Sequence, residues 1–95
     1  MYHIVVKYLM ELVGTFILVY VILKVYKHKL MGPIAIALAL LLSIYLGGPI
    51  SGGHFNPVVT LTMYLKHKLA FGDAFMYIFA QMIGAYLAIL ASEKN

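Results

Sequence analysis

The sequence predicts an all-α integral membrane protein with three transmembrane helices and one re-entrant half-helix, forming a single unit over residues 1–95. Of its 95 residues, 64% are hydrophobic and only 11% are charged, a composition that excludes an ordinary soluble domain. Three apolar runs approach the ~20 residues that a helix needs to cross a bilayer. A fourth apolar run is about half as long and follows a glycine-rich stretch.

The predicted transmembrane helices cover about residues 4–23, 34–50 and 74–91. Lys7 lies close enough to the start of the first helix to reach the membrane surface. Gly32-Pro33 opens the second helix, and a polar turn over 66–73 precedes the third. Small residues recur every four positions in the second and third helices, which allows neighbouring helices to approach closely. The predicted helix-packing residues are Gly14, Ala35, Ala39, Ser43, Ala80, Gly84 and Ala88.

The half-helix is predicted over about residues 56–65. Asn56 is a favoured N-cap and Pro57 suits the first helical position. The helix would be roughly 15 Å long at ~1.5 Å per residue, half the thickness of a ~30 Å hydrocarbon core. The glycine-rich loop before it, Gly47 to Phe55, is expected to turn its carbonyl groups toward a lumen, because unsatisfied carbonyls in lipid are costly. A half-helix fed by such a loop is typical of a transport pathway.

Three motifs in this order resemble the aquaporin (major intrinsic protein) family. Ser51-Gly52-Gly53-His54-Phe55-Asn56-Pro57-Val58-Val59-Thr60 resembles its Ser-Gly-x-His-x-Asn-Pro-Ala-Val-Thr, with valine in place of alanine at position 58. Glu11-Leu12-Val13-Gly14-Thr15 resembles its Glu-x-x-Gly-Thr, and Ala80 to Ala85 resembles its Ala-Gln-x-x-Gly-Ala. The resemblance covers nearly the whole chain but only the first half of a family member, and it implies half of an aquaporin fold.

The resemblance also implies roles for individual residues. Asn56 matches the asparagine that orients water and interrupts proton relay in the family, while Glu11 and Gln81 match residues that support the loop. In a symmetric pair of half-units, Ile36 stands about where the family has an aromatic residue and Val59 where it has an arginine. Such an apolar constriction predicts weak discrimination among small neutral solutes. The predicted pore and selectivity residues are Ile36, Ser51, Gly52, Gly53, His54, Asn56, Pro57, Val58 and Val59.

The seven lysines show no bias toward one side of the membrane. Three transmembrane helices place three lysines on one side and four on the other: Lys7, Lys66 and Lys68 against Lys24, Lys27, Lys29 and Lys94. Without a positive-inside bias, a chain can insert in both orientations, and two opposed copies could build an inverted repeat. Together with the family resemblance, this predicts a passive channel for water or small uncharged solutes such as glycerol, formed by homo-oligomerisation of half-units in inverted pairs.

A second hypothesis remains open beside the channel: a non-conducting half-channel subunit, or a truncated product, that pairs with a complementary half or a full-length relative. An enzyme is not expected, because the sequence shows no nucleophile–base pair and no metal-binding constellation. No cofactor or metal is expected either. The lysines lie at helix ends rather than along one face, so the expected partners are the lipid bilayer and the solute, not nucleic acid.

Overall fold

The computed structural model describes residues 2–94, with side chains described for residues 4–94. Four helices follow one another: α1 (Tyr2–Val25), α2 (Met31–Ser51), α3 (Pro57–Leu65) and α4 (Phe71–Ser92). Three of them, α1, α2 and α4, are long and apolar enough to cross a membrane. The fourth, α3, has nine residues and is about 14 Å long. The predicted fold class, three transmembrane helices and one half-helix, is confirmed.

The first helix lies between its two long neighbours: α1 packs on both α2 and α4, and α3 packs on α4. The backbones of α1 and α4 approach each other closely at Gly84 of α4. A Cβ atom at this position would overlap the Leu12 carbonyl oxygen of α1 and would lie 3.2 Å from the Phe16 nitrogen. Ala80 and Ala88, one turn to either side, are also buried. Small side chains on α4 thus let the two backbones approach closely.

The second helix ends at Ser51, close to the predicted end at about residue 50, so the glycine-rich loop that was expected over Gly47 to Phe55 begins later than expected. Gly52 ends the helix: its φ of 96° is left-handed, and its N–H donates to the Gly48 carbonyl at 2.8 Å. Pro49 lies inside the last turns of α2, where it removes one backbone donor without ending the helix. Only residues 52–56 connect α2 to α3, so the carbonyl groups of Gly47 and Gly48 belong to α2 and not to a lumen-lining loop.

The half-helix begins at an extended residue and ends at the first lysine of the polar turn. Asn56 has φ −161°, and its side-chain oxygen accepts a hydrogen bond from the Val58 N–H at 2.8 Å. Pro57 occupies the first helical position, where a missing N–H costs no hydrogen bond. At the C-terminus the Lys66 N–H donates to the Thr62 carbonyl at 2.9 Å, and the His67 N–H donates to the Tyr64 carbonyl at 3.0 Å. Local capping chemistry at both ends therefore defines this short helix.

Candidate functional site

The side chain of Glu11 is the centre of a buried hydrogen-bond network. Glu11 lies on α1 and is fully buried. Its Oε1 accepts hydrogen bonds from the Phe55 N–H at 2.8 Å and from the Gln81 Nε2 at 2.9 Å. Its Oε2 accepts from the Ser51 Oγ at 2.7 Å and from the His54 N–H at 3.0 Å. Four donors surround the two oxygens, which suits an ionised carboxylate because that group only accepts hydrogen bonds. These four hydrogen bonds connect α1 to α2, to α4 and to the 52–56 loop.

A second layer of hydrogen bonds extends this network to the half-helix. Gln81 also donates to the Thr60 Oγ1 at 2.9 Å, and the His54 Nδ1 lies 2.8 Å from the same oxygen. Thr60 is fully buried. The Tyr77 hydroxyl of α4 donates to the Ser51 carbonyl at 2.6 Å, and its ring lies 5.0 Å from the His54 ring. The loop and the start of α3 are thereby held against α4.

Phe55 holds the loop by packing as well as by its backbone hydrogen bond. Its φ of 51° is in the left-handed region, which is uncommon for a bulky residue, and its side chain is buried. The ring fits against two glycines: a Cβ at Gly14 would overlap it, and a Cβ at Gly47 would lie 2.9 Å from its Cζ. The hydrogen bond to Glu11 and this packing together hold the unfavourable backbone conformation.

The N-terminal end of α3 lies on an exposed face of the chain. Asn56, Pro57 and Val58 are all exposed. The Asn56 oxygen is used as the cap of α3, and its amide N–H donors have no partner among the residues that the structure describes. Unpaired backbone N–H groups give the start of a helix a positive potential. The buried network thus fixes a positive helix end and an available amide donor on one surface.

The structure separates the predicted residues into two groups. The buried network brings together Glu11, Gln81, Ser51 and His54, and it uses the Ser51 hydroxyl inside the protein. The residues that lie outside it are Ile36, Asn56, Pro57, Val58 and Val59. Ile36 and Val59 are half-buried, Gly52 is exposed and Gly53 is buried with φ 65°. Of the remaining predicted packing residues, Ser43 is buried and Ala35 and Ala39 are half-buried.

Sequence reasoning missed Phe55, Thr60 and Tyr77, together with a polar cluster between α1 and α4. Lys7 lies 2.9 Å from Asp73, and the Tyr8 hydroxyl donates to the other Asp73 oxygen at 2.6 Å. One signal was available for this cluster, namely a lysine near the start of the first helix and an aspartate near the start of the last. It has little weight without a structure, because 66 positions separate the two residues.

Comparisons with known proteins agree with the motifs. The model of the major intrinsic protein family matches residues 27–93. The chain is 43% identical over 92 residues to glycerol uptake facilitator protein-like 6 of Lactiplantibacillus plantarum, covering 93% of this chain and 43% of that protein. It is 36% identical to aquaporin Z of Photorhabdus laumondii, covering 82% and 38% of the two chains.

A third relative is the probable glycerol uptake facilitator protein of Thermotoga maritima, 35% identical over 95 residues, with 87% of this chain and 41% of that protein covered. The chain therefore spans about two fifths of the length of these curated relatives. No solved structure matches it significantly.

Proposed function

Because the chain belongs to the major intrinsic protein family, we propose that it forms a passive membrane channel for water and small uncharged solutes by pairing of inverted half-units. It is an integral, multi-pass membrane protein, with three helices of transmembrane length. Two of the relatives above are named for glycerol uptake and one as an aquaporin.

The observation that carries the proposal is the exposed start of α3. Asn56 caps the helix with its oxygen, so that its amide N–H groups are available to a solute. Water or a polyol hydroxyl can accept such a hydrogen bond. A cation at the same place meets the positive end of a helix. This combination favours small neutral solutes with acceptor oxygens.

The same exposed face supports pairing. Asn56, Pro57 and Val58 would contact lipid in an isolated chain, and polar groups in lipid without hydrogen-bond partners cost several kcal/mol each. A second copy in the opposite orientation would cover this face with the same face of its own, as a two-fold interface requires. The even distribution of lysines permits both orientations. Two half-helix N-termini would then meet across one conduit.

Weak selectivity follows from the residues around this conduit. The sequence contains no arginine, and the positions proposed for the constriction, Ile36 and Val59, are apolar. Rejection of cations would rest on the two half-helix N-termini and the two Asn56 amides alone. In proteoliposomes we expect both water and glycerol to pass. Passage of water with strict exclusion of glycerol-sized solutes would contradict this constriction.

Osmotic shrinkage of proteoliposomes tests the role of Asn56. Asn56→Asp keeps a good N-cap oxygen, and therefore α3, but replaces the amide donors with a negative charge. We expect slower water flux and a larger cation leak. Ala70→Asp is a matched control, because it adds one carboxylate at the exposed N-cap of α4. Identical kinetics of the wild type and Asn56→Asp would remove Asn56 from the mechanism.

The second hypothesis, a non-conducting half-channel subunit or truncated product that pairs with a complementary half or a full-length relative, predicts a different result in the same assay. In that case liposomes with this chain alone would show no flux above the lipid background. Co-reconstitution with a relative's second half would then restore flux. Flux from the purified chain alone favours the self-paired channel.

A further inference from the structure

We propose that a groove between α1 and α4 binds one acyl chain of a phospholipid whose ethanolamine headgroup pairs with Lys7 and Asp73. The groove has a volume of about 350 Å³. Its walls are formed by one face of α1 and one face of α4, because the lining residues on each helix are three, four and seven positions apart. They include Val5, Leu9 and Leu12 on α1 and Met76, Ala80 and Ile83 on α4.

The groove has the chemistry of a hydrocarbon-chain site and is long enough for the upper part of an acyl chain. Apart from the ring of Tyr8, all its lining side chains are aliphatic, thioether or phenyl groups. Ala80 is small and buried, whereas Phe79 and Leu9 are more than half exposed, which leaves a depression between larger side chains. Seven residues along each helix correspond to about 10 Å. An empty apolar groove would lose dispersion contacts along its walls, and lipid methylene groups restore them.

A charge pair, Lys7 and Asp73, lies at one end of the groove and indicates which lipid headgroup would bind there. The Tyr8 ring lines the groove while its hydroxyl donates to Asp73. Asp73 lies one turn before Met76 on α4, and its second oxygen lies 2.9 Å from the Lys7 Nζ. Both charged side chains are 26% exposed. A positive and a negative group thus lie side by side where the groove reaches the starts of both helices.

A zwitterionic headgroup with a primary ammonium complements this pair. The Lys7 ammonium has three N–H donors, and Asp73 is its single acceptor among the described residues, so a lipid phosphate can take another. The ionised Asp73 carboxylate accepts two hydrogen bonds and has room for about two more. The ammonium of ethanolamine can donate one, but the quaternary ammonium of choline has no N–H. The site should therefore prefer phosphatidylethanolamine to phosphatidylcholine.

Native mass spectrometry of the purified chain can measure this preference. The protein is incubated with equal amounts of phosphatidylethanolamine and phosphatidylcholine carrying the same acyl chains, and the lipid adducts that survive detergent removal are counted. We expect phosphatidylethanolamine to be retained at least about fivefold more, the order expected for one charge-assisted hydrogen bond. Equal retention of the two lipids by the wild type would overturn the headgroup assignment.

Two variants separate the headgroup from the groove. Asp73→Asn should bring the two lipids to equal retention. Ile83→Phe should fill the groove and lower retention of both lipids about fivefold or more, whereas Leu42→Phe on the exposed face of α2 is the matched control and should change nothing. Circular dichroism and size-exclusion chromatography check folding; if Asp73→Asn does not fold, the wild-type ratio and Ile83→Phe decide.

The groove assignment fails if Ile83→Phe and Leu42→Phe retain lipid equally. It also fails if soluble phosphoethanolamine, which has the headgroup but no acyl chain, displaces the lipid at similar concentrations. None of these measurements involves transport, so their outcome is independent of the channel proposal.

Discussion

Replacement of Glu11 by glutamine tests the buried network at its centre. The carboxylate accepts four hydrogen bonds, whereas the amide offers one oxygen and one NH₂ donor group. If the NH₂ group faces Ser51, the serine hydroxyl can reverse and accept from it, so that only the His54 N–H loses its acceptor. If the NH₂ group instead faces Phe55 and Gln81, both the Phe55 N–H and the Gln81 amide lose their acceptor at position 11. The first orientation therefore has the lower cost.

The magnitude follows from one unpaired donor. A buried N–H without an acceptor costs about 1–3 kcal/mol, which corresponds to a factor of roughly 5 to 150 in a local opening equilibrium. Glu11→Ala removes all four acceptor contacts and also leaves a cavity, so its cost is larger. Glutamine at this position should consequently weaken the loop unevenly, at His54 much more than at Phe55.

Amide hydrogen exchange measured by NMR, with the protein in detergent or nanodiscs, reports both positions separately. In Glu11→Gln we expect the His54 amide to exchange at least about fivefold faster, with Phe55 nearly unchanged. Glu93→Gln, at the exposed end of α4, is the matched control and should leave both amides as in the wild type. Equal acceleration at His54 and Phe55, or none at either, would refute the hydrogen-bond assignment around Glu11.

Three further substitutions test the packing and the outer hydrogen bonds through the midpoint of detergent-induced unfolding. Gly84→Ala should destabilise by about 1–3 kcal/mol, because its Cβ meets the α1 backbone; a wild-type midpoint would contradict the close approach of α1 and α4. Gly14→Ala should lower the stability by a similar amount, because its Cβ meets the phenyl ring of Phe55. The double variant with Phe55→Leu should recover part of the lost stability, and lack of any recovery would argue against that contact. Tyr77→Phe should cost about 1 kcal/mol through loss of the hydrogen bond to the Ser51 carbonyl, and an unchanged midpoint would mean that this bond is not stabilising.

The half-helix could be predicted because its signals are local. Asn56 and Pro57 are adjacent in the sequence, and their chemistry directly predicts an N-cap followed by the first helical position. The length of the apolar run after them predicts the length of the helix. The fold class follows from the lengths of the apolar runs in the same way. The loop before the half-helix was predicted to begin too early, at Gly47, because Gly47, Gly48 and Pro49 resemble a loop in sequence. The second helix in fact ends only where Gly52 adopts a left-handed conformation.

The packing around the site could not be predicted because it joins distant parts of the chain. Phe55 gives no signal of its own in the loop motif, and its place becomes clear only when Gly14 and Gly47 meet its ring. The pairing of Lys7 with Asp73 likewise depends on the contact between α1 and α4. The support roles of Glu11 and Gln81 were inferred from the family resemblance. The geometry around their side chains is that of a loop support, and the roles themselves remain to be tested.

The most direct test of the central claim uses an equal mixture of wild-type and Asn56→Asp copies, produced together so that they can pair and then reconstituted into liposomes. The part of the water flux that pure Asn56→Asp preparations lose serves as the reference. If each conduit needs Asn56 from both chains, and pairs form at random, about a quarter of that part should remain in the mixture. If about half of it remains, each chain conducts independently, which would contradict a conduit shared between inverted copies.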